Sequence, residues 1–127
     1  MLDHLSLGVH DLDRSTDFYA RVLGTLGYRL HRREPAEAAF GPGEEWTFFL
    51  YPVTRPGPVA AERMHVAFRA ADRTAVRAFH ATALASGGGP LPDRDPAERT
   101  QFGADYFGAV LTDPDGHTIE ILTRAAG

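Results

Sequence analysis

The chain carries the same residue pattern twice at a fixed spacing. His4 and His65 lie 61 positions apart. The same spacing relates four further identical pairs: Asp11 with Asp72, Phe18 with Phe79, Leu23 with Leu84, and Gly27 with Gly88. An internal repeat of this kind predicts two similar structural units. We therefore expect two modules, each opening with a strand that bears a histidine.

Composition limits the partners and the chemistry that the chain is expected to use. Its 127 residues are predicted to form one domain, and no apolar stretch has the roughly 18 residues needed to span a bilayer. The net charge is −4 and every basic residue is arginine, which argues against a nucleic-acid partner and against lysine chemistry. The absence of cysteine excludes disulfides and thiolate metal sites. We expect a cytoplasmic protein with neither a nucleic-acid nor a membrane partner.

Apolar periodicity and turn residues predict strand, helix and further strands in each module. Residues 2–9 alternate as a strand, and Asp11 is placed to cap a helix whose apolar residues recur four apart. A proline-rich stretch from Pro52 to Pro58 predicts a linker. The predicted division is one domain over 1–127, with module one at about 1–52, a linker at about 53–62 and module two at about 63–127.

The second module ends in a predicted hairpin. Strands over 106–112 and 117–123 are joined by Asp113-Pro114-Asp115-Gly116, which has the residues that a tight turn favours. Before the hairpin, the stretch from Pro90 to Asp105 is rich in proline and charge. A loop of this length predicts either a lid over a pocket or a disordered surface insertion.

His4, His65 and Glu120 are the candidate metal ligands. Each lies on a predicted strand, on the face opposite the more apolar side chains, so all three can point away from the helices. Two imidazoles and one carboxylate leave open coordination positions and suit Fe(II), Mn(II) or a similar ion. The other four histidines, His10, His31, His80 and His117, are predicted to lie at the surface.

These stretches resemble the vicinal oxygen chelate superfamily, which includes glyoxalase I, extradiol dioxygenases, fosfomycin-resistance transferases and bleomycin-binding proteins. The resemblance runs through residues 4–9, 11–24, 65–68 and 113–120 and covers nearly the whole chain. It implies an α+β fold of two tandem βαβββ modules, whose mostly antiparallel sheet curls around a central cleft. It also implies one divalent metal ion (Fe, Mn, Ni or Zn) held by His4, His65 and Glu120.

The chain departs from the glyoxalase I pattern at one position. Glyoxalase I has a fourth ligand, a glutamate on the last strand of module one, and the alignment places Phe49 there. Phenylalanine cannot ligate a metal, so the chain is not expected to be a standard glyoxalase I. Dioxygenases and fosfomycin transferases have a tyrosine where this chain has Val110, and Tyr106 is the predicted substitute and proton donor.

The predicted substrate is a small oxygen-bearing molecule. Trp46, Phe49 and Tyr51 indicate an apolar or aromatic contact, Ser6 leaves room beside His4, and Arg69 can face an anionic group.

Three functions fit this sequence. The first is a metal-dependent enzyme of dioxygenase or lyase type. The second is a metal-free binding protein of the bleomycin-resistance type, and the third is a partner module in which the ligand set is a relic. The resemblance also implies a homodimer, and the site can lie within one chain or be shared between two.

Overall fold

The computed structural model describes all 127 residues as two modules with separate sheets. Module one contains β1 (Leu5–Val9), α1 (Leu12–Gly24), β2 (Tyr28–Glu34), β3 (Glu37–Pro42) and β4 (Phe48–Pro52). Module two contains β5 (His65–Arg69), α2 (Arg73–Ala85), β6 (Gly89–Pro90), β7 (Ala97–Glu98), β8 (Phe107–Thr112) and β9 (Thr118–Thr123). Neither helix has the length and apolar character needed to cross a membrane.

The two sheets have related topologies. The first has four strands in the order β1-β4-β3-β2, and the second has the path β5-β9-β8-β6, with β7 also paired to β8. In each sheet the first and last strands of the module are parallel neighbours, and the remaining pairs are antiparallel. The predicted α+β fold of two mostly antiparallel modules is confirmed. The sheets do not close on each other within the chain.

Local sequence signals place both helices. The Asp11 side chain accepts a hydrogen bond from the Arg14 N–H at 3.0 Å, and Asp72 accepts one from the Ala75 N–H at 2.8 Å. Each carboxylate thereby satisfies a backbone donor that the first helical turn leaves free. Both helices pack on one face of their sheet, which leaves the opposite face, called here the open face, without a helix.

One apolar core runs through both modules. Side chains from α1, α2 and both sheets belong to a single buried cluster. Phe48 of module one and Phe68 of module two meet edge to face, with ring centroids 5.4 Å apart. The modules are therefore packed together through the sides that face the helices, not through their open faces.

The Asp113–Gly116 turn fastens module two to module one. The Tyr19 hydroxyl donates to Asp113 Oδ2 at 2.6 Å. The fully buried Asp115 side chain accepts from the His10 N–H, from Arg14 and from the Ser15 hydroxyl. These contacts, called here the module junction, are charge-assisted hydrogen bonds between residues about 100 positions apart in sequence.

Burial raises the pKa of both Tyr19 and Asp113 in the module junction. Burial, followed by the nearby Asp113 charge, raises the pKa of Tyr19 well above its usual value. Burial also raises the pKa of Asp113, while the hydrogen bond from Tyr19 opposes that shift. The Tyr19 phenol therefore remains protonated and acts as the donor.

Two of the four histidines predicted to lie at the surface are buried. His117 Nε2 lies 2.8 Å from the Gly8 carbonyl oxygen, so this ring nitrogen carries the proton and links the modules. His80 packs on the core side of α2, and burial lowers its pKa. The surface prediction was wrong for both because contacts from elements distant in sequence cover them.

Candidate metal and substrate site

His65 and Glu120 lie side by side on the open face of module two. They come from β5 and β9, which are parallel neighbours, with Ala67 opposite Glu120 in the register. Because side chains alternate along a strand, His65 and Glu120 project from the same face. The His65 Nε2 atom lies 3.4 Å from Glu120 Oε1.

Tyr106 holds the other oxygen of Glu120. This residue immediately precedes β8, is buried, and donates its hydroxyl hydrogen bond to Glu120 Oε2. Burial, and then the hydrogen bond to Glu120, raises the pKa of Tyr106 to about 12. The phenol therefore stays protonated at neutral pH and keeps the hydrogen that it donates to Glu120.

A cavity of about 780 Å³ surrounds these three side chains. Its apolar lining includes Met64, Leu91, Phe102 and Val110, and its charged lining includes four arginines. The volume lies within the range typical of small-molecule pockets. The cavity combines one carboxylate, one imidazole and one phenol with space for a ligand.

The segment from Pro90 to Asp105 forms part of the cavity wall. It contributes β6, β7 and a 3-10 turn at Thr100–Phe102. Two backbone hydrogen bonds fasten it to β8 and its approach, from the Arg99 N–H to the Tyr106 carbonyl and from the Val110 N–H to the Arg94 carbonyl. Of the two predictions for this stretch, the disordered insertion is wrong because the segment is paired with β8, and the lid over a pocket stays a prediction.

His4 does not join His65 and Glu120 within one chain. It lies just before β1, exposed, with Nδ1 2.8 Å from Asp3 Oδ1. Its ring meets Phe49 edge to face, with centroids 5.3 Å apart. No set of three histidine or acidic side chains in the chain is arranged to hold a metal ion.

The strand register identifies the counterpart of Glu120 in module one. Ser6 pairs with Phe49 across β1 and β4, as Ala67 pairs with Glu120 across β5 and β9. Ser6 and Ala67 are related by the 61-residue spacing of the repeat. Phe49 therefore occupies the position in module one that Glu120 occupies in module two.

The open face of module one is aromatic. Phe49 stacks on Tyr51 at 6.3 Å, and Trp46 lies 6.4 Å from Phe49. His31 stacks on Trp46 at 5.7 Å. Trp46 and Tyr51 are exposed although both rings are large. We call His31, Trp46, Phe49 and Tyr51 the aromatic strip.

The remaining predicted site residues fall on both modules. Ser6 is exposed on β1, beside His4 and opposite Phe49. Arg69 is exposed at the end of β5 and is not part of the cavity lining. Of the nine predicted site residues, the structure brings His65, Glu120 and Tyr106 together in the cavity, while Ser6, Trp46, Phe49 and Tyr51 lie with His4 on module one.

Four arginines that line the cavity are not among the site residues predicted from the sequence. The four arginines lie outside helices and long strands: Arg63 just before β5, Arg94 and Arg99 in the segment from Pro90 to Asp105, and Arg124 just after β9. They follow no helical or strand periodicity, so no pattern in the sequence predicts that they meet. The only related signal is compositional: arginine is abundant and lysine is absent.

Comparisons with known proteins agree on the fold. A family model described as the Glyoxalase/Bleomycin resistance protein/Dioxygenase superfamily matches residues 1–121. No curated protein matches the chain significantly.

Several solved structures are similar to the chain. A glyoxalase/bleomycin resistance protein from Albidiferax ferrireducens is 29% identical with a TM-score of 0.86, and the match covers 97% of this chain and 98% of that one. The fosfomycin resistance protein FosX from Mesorhizobium loti is 22% identical with a TM-score of 0.67, covering 97% and 91%. A glyoxalase I mutant from Zea mays is 23% identical with a TM-score of 0.71, covering 95% and 46%.

Proposed function

This chain belongs to the Glyoxalase/Bleomycin resistance protein/Dioxygenase superfamily, and from that membership we propose that it binds one divalent metal ion and is a metal-dependent enzyme. The reaction is of dioxygenase or lyase type on a small oxygen-bearing substrate. The observation that carries the proposal is the pairing of His65 and Glu120 on the cavity wall, with Tyr106 bonded to the far oxygen of the carboxylate.

The donor geometry is suitable for a metal. Two ligands with bonds of about 2.1 Å to one tetrahedral ion lie about 3.4 Å apart, and the His65 Nε2 to Glu120 Oε1 distance is 3.4 Å. The Tyr106 hydrogen bond fixes the orientation of the carboxylate, as outer-shell partners of metal ligands do. Imidazole and carboxylate together suit Fe, Mn, Ni or Zn.

We propose that His4 of a second copy completes the ligand set in a homodimer. His4 is exposed on an open face that no element of its own chain covers. The repeat makes His4 the counterpart of His65, and a two-fold dimer would set the open face of module one against the open face of module two. Such an arrangement gives each site two ligands from one chain and one from the other.

When bound, the cation would polarise neighbouring oxygens of the substrate as a Lewis acid. The chain's own groups then orient the substrate. Tyr106 is the proposed catalytic residue, as a proton donor. Its one O–H hydrogen is donated to Glu120, so it would turn to the substrate only when the cation holds that carboxylate. Trp46, Phe49 and Tyr51 are proposed to contact the apolar part of the substrate, and Ser6 and Arg69 its polar groups.

Standard glyoxalase I activity is not proposed. Phe49 occupies the position where a fourth carboxylate ligand would lie, opposite Ser6 in the register. Its ring packs against His4 and Tyr51 and offers neither a donor atom nor a base.

The alternative is a metal-free binding protein of the bleomycin-resistance type. The aromatic strip favours it, because exposed stacked rings are suited to a planar ligand. The absence of a three-donor group within one chain is compatible with it as well. In either case we propose a small-molecule ligand and a cytoplasmic protein.

Metal titration tests the proposal. We expect apo protein to bind one Mn²⁺, Fe²⁺, Ni²⁺ or Zn²⁺ per chain in calorimetry. His65→Ala and Glu120→Gln should each lose more affinity than the roughly 10- to 100-fold typical of an outer-shell partner. His10→Ala, which removes an exposed imidazole outside the open faces, is the matched control. Equal metal binding by His65→Ala, Glu120→Gln and His10→Ala would contradict the proposal and favour the binding protein.

A further inference from the structure

Four arginines surround the pair of candidate ligands in module two. Arg63, Arg94, Arg99 and Arg124 all line the cavity that contains His65 and Glu120. Among the lining residues, Glu120 is the only carboxylate. The cavity is therefore strongly positive, although the whole chain has a net charge of −4.

None of these four guanidinium groups forms an ion pair within the chain. The arginines that pair with carboxylates are five others: Arg14, Arg29, Arg32, Arg33 and Arg73. Five of the nine arginines outside the cavity are therefore paired with carboxylates, and none of the four that line it is.

The contacts of the cavity arginines orient them without cancelling their charge. Arg94 donates to the Asp93 carbonyl, and Arg99 donates to the carbonyls of Asp93 and Asp95. Arg124 donates to the Phe102 carbonyl and lies 4.9 Å above the Tyr106 ring. Arg63 makes no side-chain hydrogen bond. Backbone carbonyls accept hydrogen bonds but carry no net charge, so the field of the four cations remains.

Grouped like charges repel one another, and the repulsion is removed when a counter-charge binds between them. The guanidinium group recognises carboxylate, phosphate and phosphonate oxygens through paired hydrogen bonds. A fully ionised oxyanion therefore complements the cavity, whereas a neutral substrate would leave the arginines without a counter-charge.

We propose that the substrate of this site is an oxyanion, a small molecule whose carboxylate, phosphate or phosphonate group is bound by Arg63, Arg94, Arg99 and Arg124. The inference rests on the proposed function, because it places the oxygen-bearing part of the same molecule against His65 and Glu120. It assigns anion recognition to module two and to the segment from Pro90 to Asp105, which supplies two of the four arginines.

The competing explanation is that carboxylates of a second copy neutralise the arginines. Module one has acidic residues near its open face, such as Asp3 and Glu37, the latter bonded to the Tyr51 hydroxyl. In that case the arginines would stabilise a dimer and would not bind a ligand, so the experiment must also measure the oligomeric state.

Ligand titration with defined probes tests the proposal. Phenylphosphonate and benzoate supply an aromatic ring with either type of oxyanion, and benzyl alcohol supplies the ring without charge. We expect the two anions to bind at least tenfold more tightly than benzyl alcohol in calorimetry, with an affinity that falls as salt rises. The stronger of the two anions identifies the oxyanion type.

Matched charge variants locate the binding site. Arg63→Gln and Arg94→Gln should each weaken phenylphosphonate binding by about fivefold or more, because each removes a charge-assisted contact. Arg21→Gln removes the same charge from an exposed, unpaired arginine on α1 and should bind like the unaltered protein. Equal affinity for phenylphosphonate and benzyl alcohol, or equal affinity in Arg63→Gln and Arg21→Gln, would overturn the proposal.

Two controls separate this inference from the proposed function. Titrations with and without Mn²⁺, accompanied by a direct measurement of bound Mn²⁺, distinguish loss of the metal from loss of anion binding. Light scattering measures whether each variant is a monomer or a dimer. If Arg63→Gln and Arg94→Gln change the mass of the assembly in solution and leave phenylphosphonate affinity intact, the arginines stabilise the dimer and the proposal is wrong.

Discussion

The open faces of the two modules share a backbone register but differ in chemistry. Phe49 lies opposite Ser6 in module one, and Glu120 lies opposite Ala67 in module two. Around Phe49 lie stacked aromatic rings, and around Glu120 lie a histidine, a buried tyrosine and four arginines. The open face of module one is suited to apolar contacts, and that of module two is suited to contacts with charged groups.

If the two open faces form one site, as proposed, this difference divides its functions between the two modules of a repeated fold. Strand pairing fixes where an open-face position lies, and it is the same in both modules. The side chain at that position then determines whether the module would supply a metal ligand or an apolar surface to the proposed site. In the proposed site, module one supplies an imidazole and an apolar surface, and module two supplies the proposed ligand pair and the cations.

The module junction holds the two faces in their relative placement, and breaking it should have the largest effect on stability. Asp113→Ala leaves the Tyr19 hydroxyl and the N–H groups of Asp115 and His117 without an acceptor. We expect the free energy of unfolding to fall by about 2–4 kcal/mol. Urea denaturation measures it, with Asp105→Ala, at an exposed carboxylate, as control. A loss below about 0.5 kcal/mol would show that the junction does not stabilise the modules.

The same junction predicts a response to alkaline pH. The pKa of Tyr19 is raised in the folded state, so above pH 10 the unfolded chain loses its proton first. The unfolded state then binds fewer protons, and stability falls as pH rises, by up to about 1.4 kcal/mol per pH unit. Tyr19→Phe should be less stable at pH 7, by about 1.5–3 kcal/mol, yet show a shallower alkaline fall. Parallel stability curves for the two proteins between pH 9 and pH 11 would contradict this account.

Removal of the Tyr106 hydroxyl should weaken metal binding through module two without altering module one. Tyr106→Phe frees one oxygen of Glu120, and we expect metal affinity to fall roughly 10- to 100-fold, as for other outer-shell partners. Tyr28→Phe, on the opposite module, is the control. Metal affinity unchanged in Tyr106→Phe would mean that the hydroxyl does not orient the carboxylate.

A single substitution can make the open face of module one more like that of module two. Phe49→Glu places a carboxylate at the position that corresponds to Glu120 and beside His4. In a dimer that joins the two open faces, this carboxylate adds a fourth ligand, and we expect metal affinity to rise about tenfold. Phe49→Gln, similar in size but uncharged, should give a smaller gain. A decrease in affinity for Phe49→Glu would indicate that Phe49 does not face the metal.

The sequence contained enough local information to predict the helices, the strands and the faces of individual side chains. Alternation placed His65 and Glu120 on one face, and the structure brings them within 3.4 Å. The family resemblance placed Phe49 where glyoxalase I has a glutamate on the last strand of module one, and the strand register makes Phe49 the counterpart of Glu120. Periodicity along one element is sufficient for such inferences because it needs no knowledge of the neighbours.

Contacts between distant elements could not be predicted in this way. Asp113 and Asp115 were interpreted only as turn residues, yet they bind α1 and the start of module one. The cavity arginines lie in irregular segments, where side-chain direction follows from tertiary packing and not from period. Where His4 finds its partners depends on how two open faces meet, which no pattern within one module encodes.

The central claim is that one metal site draws His4 from one chain and His65 with Glu120 from another. Mixing the two inactive variants His4→Ala and His65→Ala, after joint denaturation and refolding, tests it most directly. A mixed dimer then contains one intact site and one doubly altered site. The account therefore predicts recovery of metal binding to one ion per mixed dimer, which is about one ion per two dimers of all kinds in a random mixture. No recovery in a mixture whose mixed dimers are verified by mass spectrometry would contradict the shared site.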